Sequence, residues 1–116
     1  MAITVLNNAN EQSTYIVLIQ FVDEAGNTVV PVTAKWSLRD NSGAIVNGRS
    51  AVSIISLATT ISIILSTADT SYLANTKISR ILTVEAIYNS STYGNGLQLN
   101  DECVFVIQPL TGITNA

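Results

Sequence analysis

Residues able to do chemistry are few in this chain of 116 residues, and they are scattered. There is no histidine and one cysteine, Cys103. The carboxylates are Glu11, Asp23, Glu24, Asp40, Asp69, Glu85, Asp101 and Glu102. The side chain that most often moves protons or holds metals near neutral pH is therefore absent. General acid–base catalysis needs titratable groups converging in a cleft. Most of these carboxylates instead fall in or beside turns, where Asp hydrogen-bonds its own backbone. A lone cysteine excludes a thiolate zinc site and an intrachain disulfide. Within "CVFVI", Cys103 reads as a small buried hydrophobe. A serine nucleophile would need a lysine base, and neither Lys35 nor Lys77 lies in a recognisable motif. No glycine-rich phosphate loop occurs. "DEAGN" offers oxygens from Asp23, Glu24 and Asn27, too few for a calcium loop, so it reads as a turn. Asn89-Ser90-Ser91 matches a glycosylation sequon but, with no signal peptide expected, reads as loop. Glu85, between apolar neighbours, is expected on an outer face opposite a lysine or arginine. The expectation is a non-enzymatic protein with no cofactor and no metal.

Composition points to partners of another kind. Charged residues make up 11% of the chain, against about 25% for an ordinary soluble domain. Hydrophobic residues make up 47%, and mean hydropathy is +0.39. With so little charge, part of the surface is expected to be covered by partner chains. The net charge is −3, and the cations Lys35, Arg39, Arg49, Lys77 and Arg80 are dispersed. Neutralising a run of phosphates needs clustered cations, so nucleic acid is not an expected partner. The N-terminus lacks a basic segment followed by a long apolar one. The most apolar run, "VSIISLATTISIIL", is broken by Ser and Thr and is too short to span a bilayer. No membrane association is expected.

The elements that must position these residues read as short strands between turns. Length implies one domain, with 1–13 as an arm, 14–109 as the folded unit and 110–116 as a tail. "TYIVLIQFV" (14–22) is apolar on both faces, so it is expected to be covered on both sides. Pro31 is expected to open a strand in which Val32, Ala34, Trp36 and Leu38 face in and Thr33, Lys35, Ser37 and Arg39 face out. "DNSG" reads as a turn, and Asn47-Gly48 as a two-residue hairpin turn. "TISIIL" should turn Ile61, Ile63 and Leu65 inward and Ile64 outward. Ser66 and Asp69 suggest a capping box and one or two helical turns over "STADTSYL". "ISRILTVEAIY" should bury Leu82, Val84, Ala86 and Tyr88. "NSSTYGNG" reads as a polar loop, and "DECVFVIQP" as the last strand. About seven strands, plus a further one at "ITVL", with a Trp on an early central strand, suggest an all-β, immunoglobulin-like antiparallel sandwich with one short helical turn. Its expected core includes Phe21, Trp36, Leu38, Ile63, Leu65, Val84, Tyr88 and Phe105. The candidate interface residues are Ile16, Leu18, Val22, Ile64 and Tyr93.

The stretch "FVDEAGN…VVPV…KWSLRDNSG…VN", followed by "ISIILSTAD" and "LTVEAIY", resembles the small immunoglobulin-like proteins of tailed-phage structural gene clusters. Phe21, Asp23, Gly26, Pro31, Trp36, Leu38, Asp40, Gly43 and Asn47 carry the resemblance, which covers about 14–109. It implies a virion structural protein, foremost a capsid decoration (cement) protein. That protein would be a homo-oligomer bound to the major capsid protein or other virion proteins, made in the host cytoplasm and residing in the virion. The alternative it admits is a tail or adaptor part, or an adhesion module that binds through the loop carrying Tyr93.

Overall fold

The computed structural model describes residues 2–5, 9–71, 79–108 and 110, with the backbone alone for 2–5. Among them the chain is all-β. The strands are β1 (Ala2–Val5), β2 (Ala9–Asn10), β3 (Tyr15–Gln20), β4 (Thr33–Asp40), β5 (Val52–Ser53), β6 (Thr60–Leu65), β7 (Ser79–Ser90) and β8 (Gly94–Gln108). They form a three-stranded sheet, β1-β3-β6, and a five-stranded sheet, β2-β8-β7-β4-β5. The expected N-terminal arm thus supplies a strand to each sheet: β1 pairs antiparallel with β3, and β2 pairs parallel with β8.

The period-2 patterns explain the core. β6 alternates without a break, with Ile61, Ile63 and Leu65 buried and Thr60, Ser62 and Ile64 exposed. β7 buries Leu82, Val84, Ala86 and Tyr88. Phe21, Trp36, Leu38, Ile63, Leu65, Val84 and Phe105 belong to one continuous apolar cluster contributed by both sheets. Tyr15 and Phe105 stack across it with ring centroids 4.8 Å apart. Tyr88 is buried outside that cluster. Its hydroxyl donates to Glu24 Oε1 at 3.4 Å, under the loop that precedes β4.

Several expectations need correcting. Val32 is exposed, because the buried residue beside it is Pro31 and the β4 ladder begins at Thr33. Ser37 is buried, because the chain beyond β4 returns over it and the Ala51 N–H donates to Ser37 Oγ at 2.9 Å. Arg39 is half-buried. Asn47-Gly48 does form a tight turn, with φ of 53° and 66° and a 3.1 Å bond from Arg49 N to Val46 O. It does not join two strands of a hairpin. The Leu38 carbonyl accepts from Val46 N and the Leu38 N–H donates to Arg49 O, both at 2.9 Å. Residues 47 and 48 are therefore an excursion in one chain segment that runs along β4. "NSSTYGNG" is largely strand: β7 continues to Ser90, β8 starts at Gly94, and residues 91–93 make the turn. Residues 67–70 form a hydrogen-bonded turn in place of the expected helix, and 72–73 lie outside the described residues. Pro109 and residues 111–116 also lie outside them.

Candidate functional site

Asp23 and Asp40 serve local turns, whereas Glu11, Glu24 and Glu102 accept from the distant Leu110 N–H, Tyr88 hydroxyl and Thr83 hydroxyl. Asp23 Oδ1 accepts from the N–H groups of Ala25 and Asn27 at 3.0 and 2.9 Å, closing the "DEAGN" turn, where Gly26 takes φ of 84°. Asp40 Oδ1 accepts from Ser42 N, Ser42 Oγ and Ala44 N. These bonds hold its pKa below the usual value, the Ser42 hydroxyl being the largest cause. Glu85 is exposed and in register with Lys35 across β4 and β7. Asn89 Oδ1 accepts from Gly96 N at 3.1 Å.

Asp69 gathers several donors, near and distant. Its side chain is fully buried. Arg49 grips it side-on, Nε to Oδ1 at 2.9 Å and Nη2 to Oδ2 at 3.2 Å. Asn47 Nδ2 donates to Oδ1, and Ser66 N and Oγ donate to Oδ2. Half of the expected capping box is thus present, with the carboxylate reaching back to its Ser but no helix following. Burial pushes the Asp69 pKa up, but the donors from Arg49, Asn47 and Ser66 outweigh it, and the net shift is downward. The Arg49 guanidinium also lies 5.6 Å from the Trp36 ring centre. This ion pair, buried at Asp69 and partly exposed at Arg49, pins the 47–49 excursion to the 66–69 turn. Cys103 is half-buried, and burial with the nearby Asp101 charge pushes its thiol to about 11. It stays a protonated, weakly reactive thiol at neutral pH.

The surface carries the features that point outward. The inner face of β3 is buried, but its outer face is open: Ile16 is 38% exposed, and Leu18 and Val22 are half-buried. Ile16 lies in register with Ile64, which is 63% exposed, so the two make one apolar spot on the three-stranded sheet. β6 is the outer strand of that sheet. A groove of about 430 Å³ runs beside it, walled by Trp36, Ile54, Ile61 and Ile63, with Ile55 on its rim. On the other sheet Val104 and Val106 are exposed beside half-buried Ile81, which pairs with Val104. Tyr93 stands exposed at the tip of the β7–β8 hairpin, away from these spots in sequence and strand position. Val104 and Val106 were not among the interface residues expected from sequence. Once Phe105 is taken as core, the alternation in "CVFVI" places both neighbours outward.

The arrangement can hold an extended strand or an apolar surface; it brings no set of catalytic groups together among the described residues. Comparison with protein-family models, curated proteins and solved structures finds no match in any of the three.

Proposed function

We infer that this protein is a non-enzymatic structural component of a tailed-phage particle, foremost a capsid decoration (cement) protein, built on an immunoglobulin-like sandwich. The strand order supports the fold assignment. β3 pairs with β6 in one sheet, while β4, β7 and β8 form the other, with an extra edge segment beyond β4. In immunoglobulin-like domains the B and E strands pair in one sheet, the C, F and G strands form the other, and a Trp on strand C fills the core. Trp36 on β4 occupies that place.

One observation carries the functional reading: an uncharged open edge on β6, flanked by exposed Ile16 and Ile64. Monomeric proteins guard such edges with charge, bulges or proline. A chain that spends so little charge on its surface is suited to a place where other chains cover it. The partners would be the major capsid protein or other virion proteins, together with copies of itself.

The test is binding to phage particles that lack the protein. Purified protein should co-sediment with them at a saturating, fixed ratio and should raise their resistance to heat or chelators. Protein that stays in the supernatant at every concentration would sink the proposal. An adhesion role has one feature in its favour, the exposed Tyr93 at a tightly turned hairpin tip. Saturable binding to host cells that Tyr93→Ala abolishes would favour that role over the capsid.

A further inference from the structure

We propose that β6 is a pairing edge for a second copy of this chain, joining two three-stranded sheets antiparallel about a two-fold axis at Ser62. Pairing there deepens the reading above, because it names one occupant of the same edge.

The backbone supplies the first support. Phe21 N donates to Thr59 O at 2.8 Å, and β3 pairs with β6 in the register Ile19↔Ile61 and Val17↔Ile63. In an antiparallel ladder, alternate residues turn their N–H and C=O toward the same neighbour. Ile61, Ile63 and Leu65 therefore bond to β3, and Thr60, Ser62 and Ile64 point their main-chain groups away from it. Thr60, Ser62 and the chain's own segment 53–56 line the neighbouring groove.

Charge favours self-pairing at this edge over the outer edge of β8. Each copy is anionic, with a net charge of −3. The run "AVSIISLATTISIIL" and the whole of β3 carry no charge. Two copies can meet there without like-charge repulsion. The long outer edge of β8 is a poor self-pairing edge by the same test, since Asp101 and Glu102 sit in its middle and like charges across strands repel.

Side chains fit the symmetry. A two-fold at Ser62 sets each Ser62 opposite its mate and each Thr60 opposite Ile64. Interfaces of this kind are self-complementary by construction. The Ile16 and Ile64 spots of the two copies then lie on one face, on either side of the paired Ser62 residues. On the other face Ile61 and Ile63 extend the apolar floor of the groove toward Ile55, which is 93% exposed in the single chain.

Three measurements on the full chain test the pairing. Light scattering over a micromolar to millimolar series should give twice the 12.3 kDa chain mass. Ile64→Lys adds a charge at a position already exposed, so the fold tolerates it. It should weaken pairing by about tenfold or more, equivalent to about 1.4 kcal/mol, with an unchanged thermal midpoint at dilutions where both chains are monomeric. Ser62→Cys should form an interchain disulfide under mild oxidation, because facing residues in a hydrogen-bonded antiparallel pair lie about 5.5 Å apart at Cα. Thr92→Cys at the hairpin tip and the native chain should not cross-link. A native chain that is monomeric throughout overturns the proposal. So does a dimer that Ile64→Lys leaves intact and Ser62→Cys fails to cross-link. Monomers that still bind particles would remove this pairing alone; a β6-paired dimer that ignores particles would remove the virion role alone.

Discussion

At the scale of single residues, the buried Asp69 carboxylate gathers donors from Asn47, Arg49 and Ser66. Removing one member of a buried ion pair leaves the other uncompensated and costs about 3–5 kcal/mol. Asp69→Ala is expected near the lower end, about 3 kcal/mol, because Arg49 is 32% exposed and can regain water. Urea denaturation measures this directly. The pH dependence follows from the sign of the shift. The folded pKa of Asp69 lies below its ordinary 3.8, so the unfolded chain takes up the proton first as acid is added. The stabilisation is complete above about pH 5 and is lost as pH falls through 4 and then through the folded pKa. Asp69→Asn should flatten the acid limb of the stability profile; an unchanged limb would mean other carboxylates govern it. Ala51 offers a change of the opposite sign. It holds φ of 48°, a left-handed conformation that costs an L-residue about 1–2 kcal/mol. Ala51→Gly should stabilise by about 0.5–1 kcal/mol after the entropy of glycine is counted, a rise in urea midpoint at constant slope. The sequence showed Asp69 only as the local capping-box partner of Ser66. Its partners Asn47 and Arg49 are about twenty residues away, and nothing in local spacing reveals so distant a pairing.

At the scale of elements, strict alternation was readable and main-chain detours were not. β6 and β7 state their inner faces residue by residue, because a half-buried strand must alternate. Ser37 breaks the alternation of β4 through a hydrogen bond from Ala51, a contact made by the returning chain. The Asn47-Gly48 turn was visible as a turn. Its use as an excursion depends on Leu38 offering its N–H and C=O to two different partners, Arg49 and Val46, which no local pattern records. Gly48 sits at φ of 66° with open space around the position a Cβ would take. Gly48→Ala should therefore cost about 1 kcal/mol by conformation alone, without a clash. A loss well above that in urea denaturation would mean the excursion supports the Arg49–Asp69 pair more strongly than the backbone term implies. The length of β8 was also hidden, since "GNGLQLN" lacks the β-branched composition of a strand and extends only because β7 lies beside it.

At the scale of the whole molecule, the all-β class was legible from turn spacing and composition. The division of the N-terminal segment between two sheets was not, because β1 and β2 are short and their partners lie far along the chain. The candidate interface residues divide between places on the surface. Ile16 and Ile64 come together in register on one sheet, Leu18 and Val22 are partly covered, and Tyr93 stands alone at a hairpin tip. The outward valines of β8 add a second apolar spot on the opposite sheet. A low-charge sandwich with apolar spots on both faces is suited to lie between other chains. The most direct measurement is co-sedimentation of the purified protein with phage particles that lack it, over a concentration series. Binding that saturates at a fixed number of chains per particle is the expected result. A flat baseline, with all protein left in the supernatant, would contradict the proposed role in the virion.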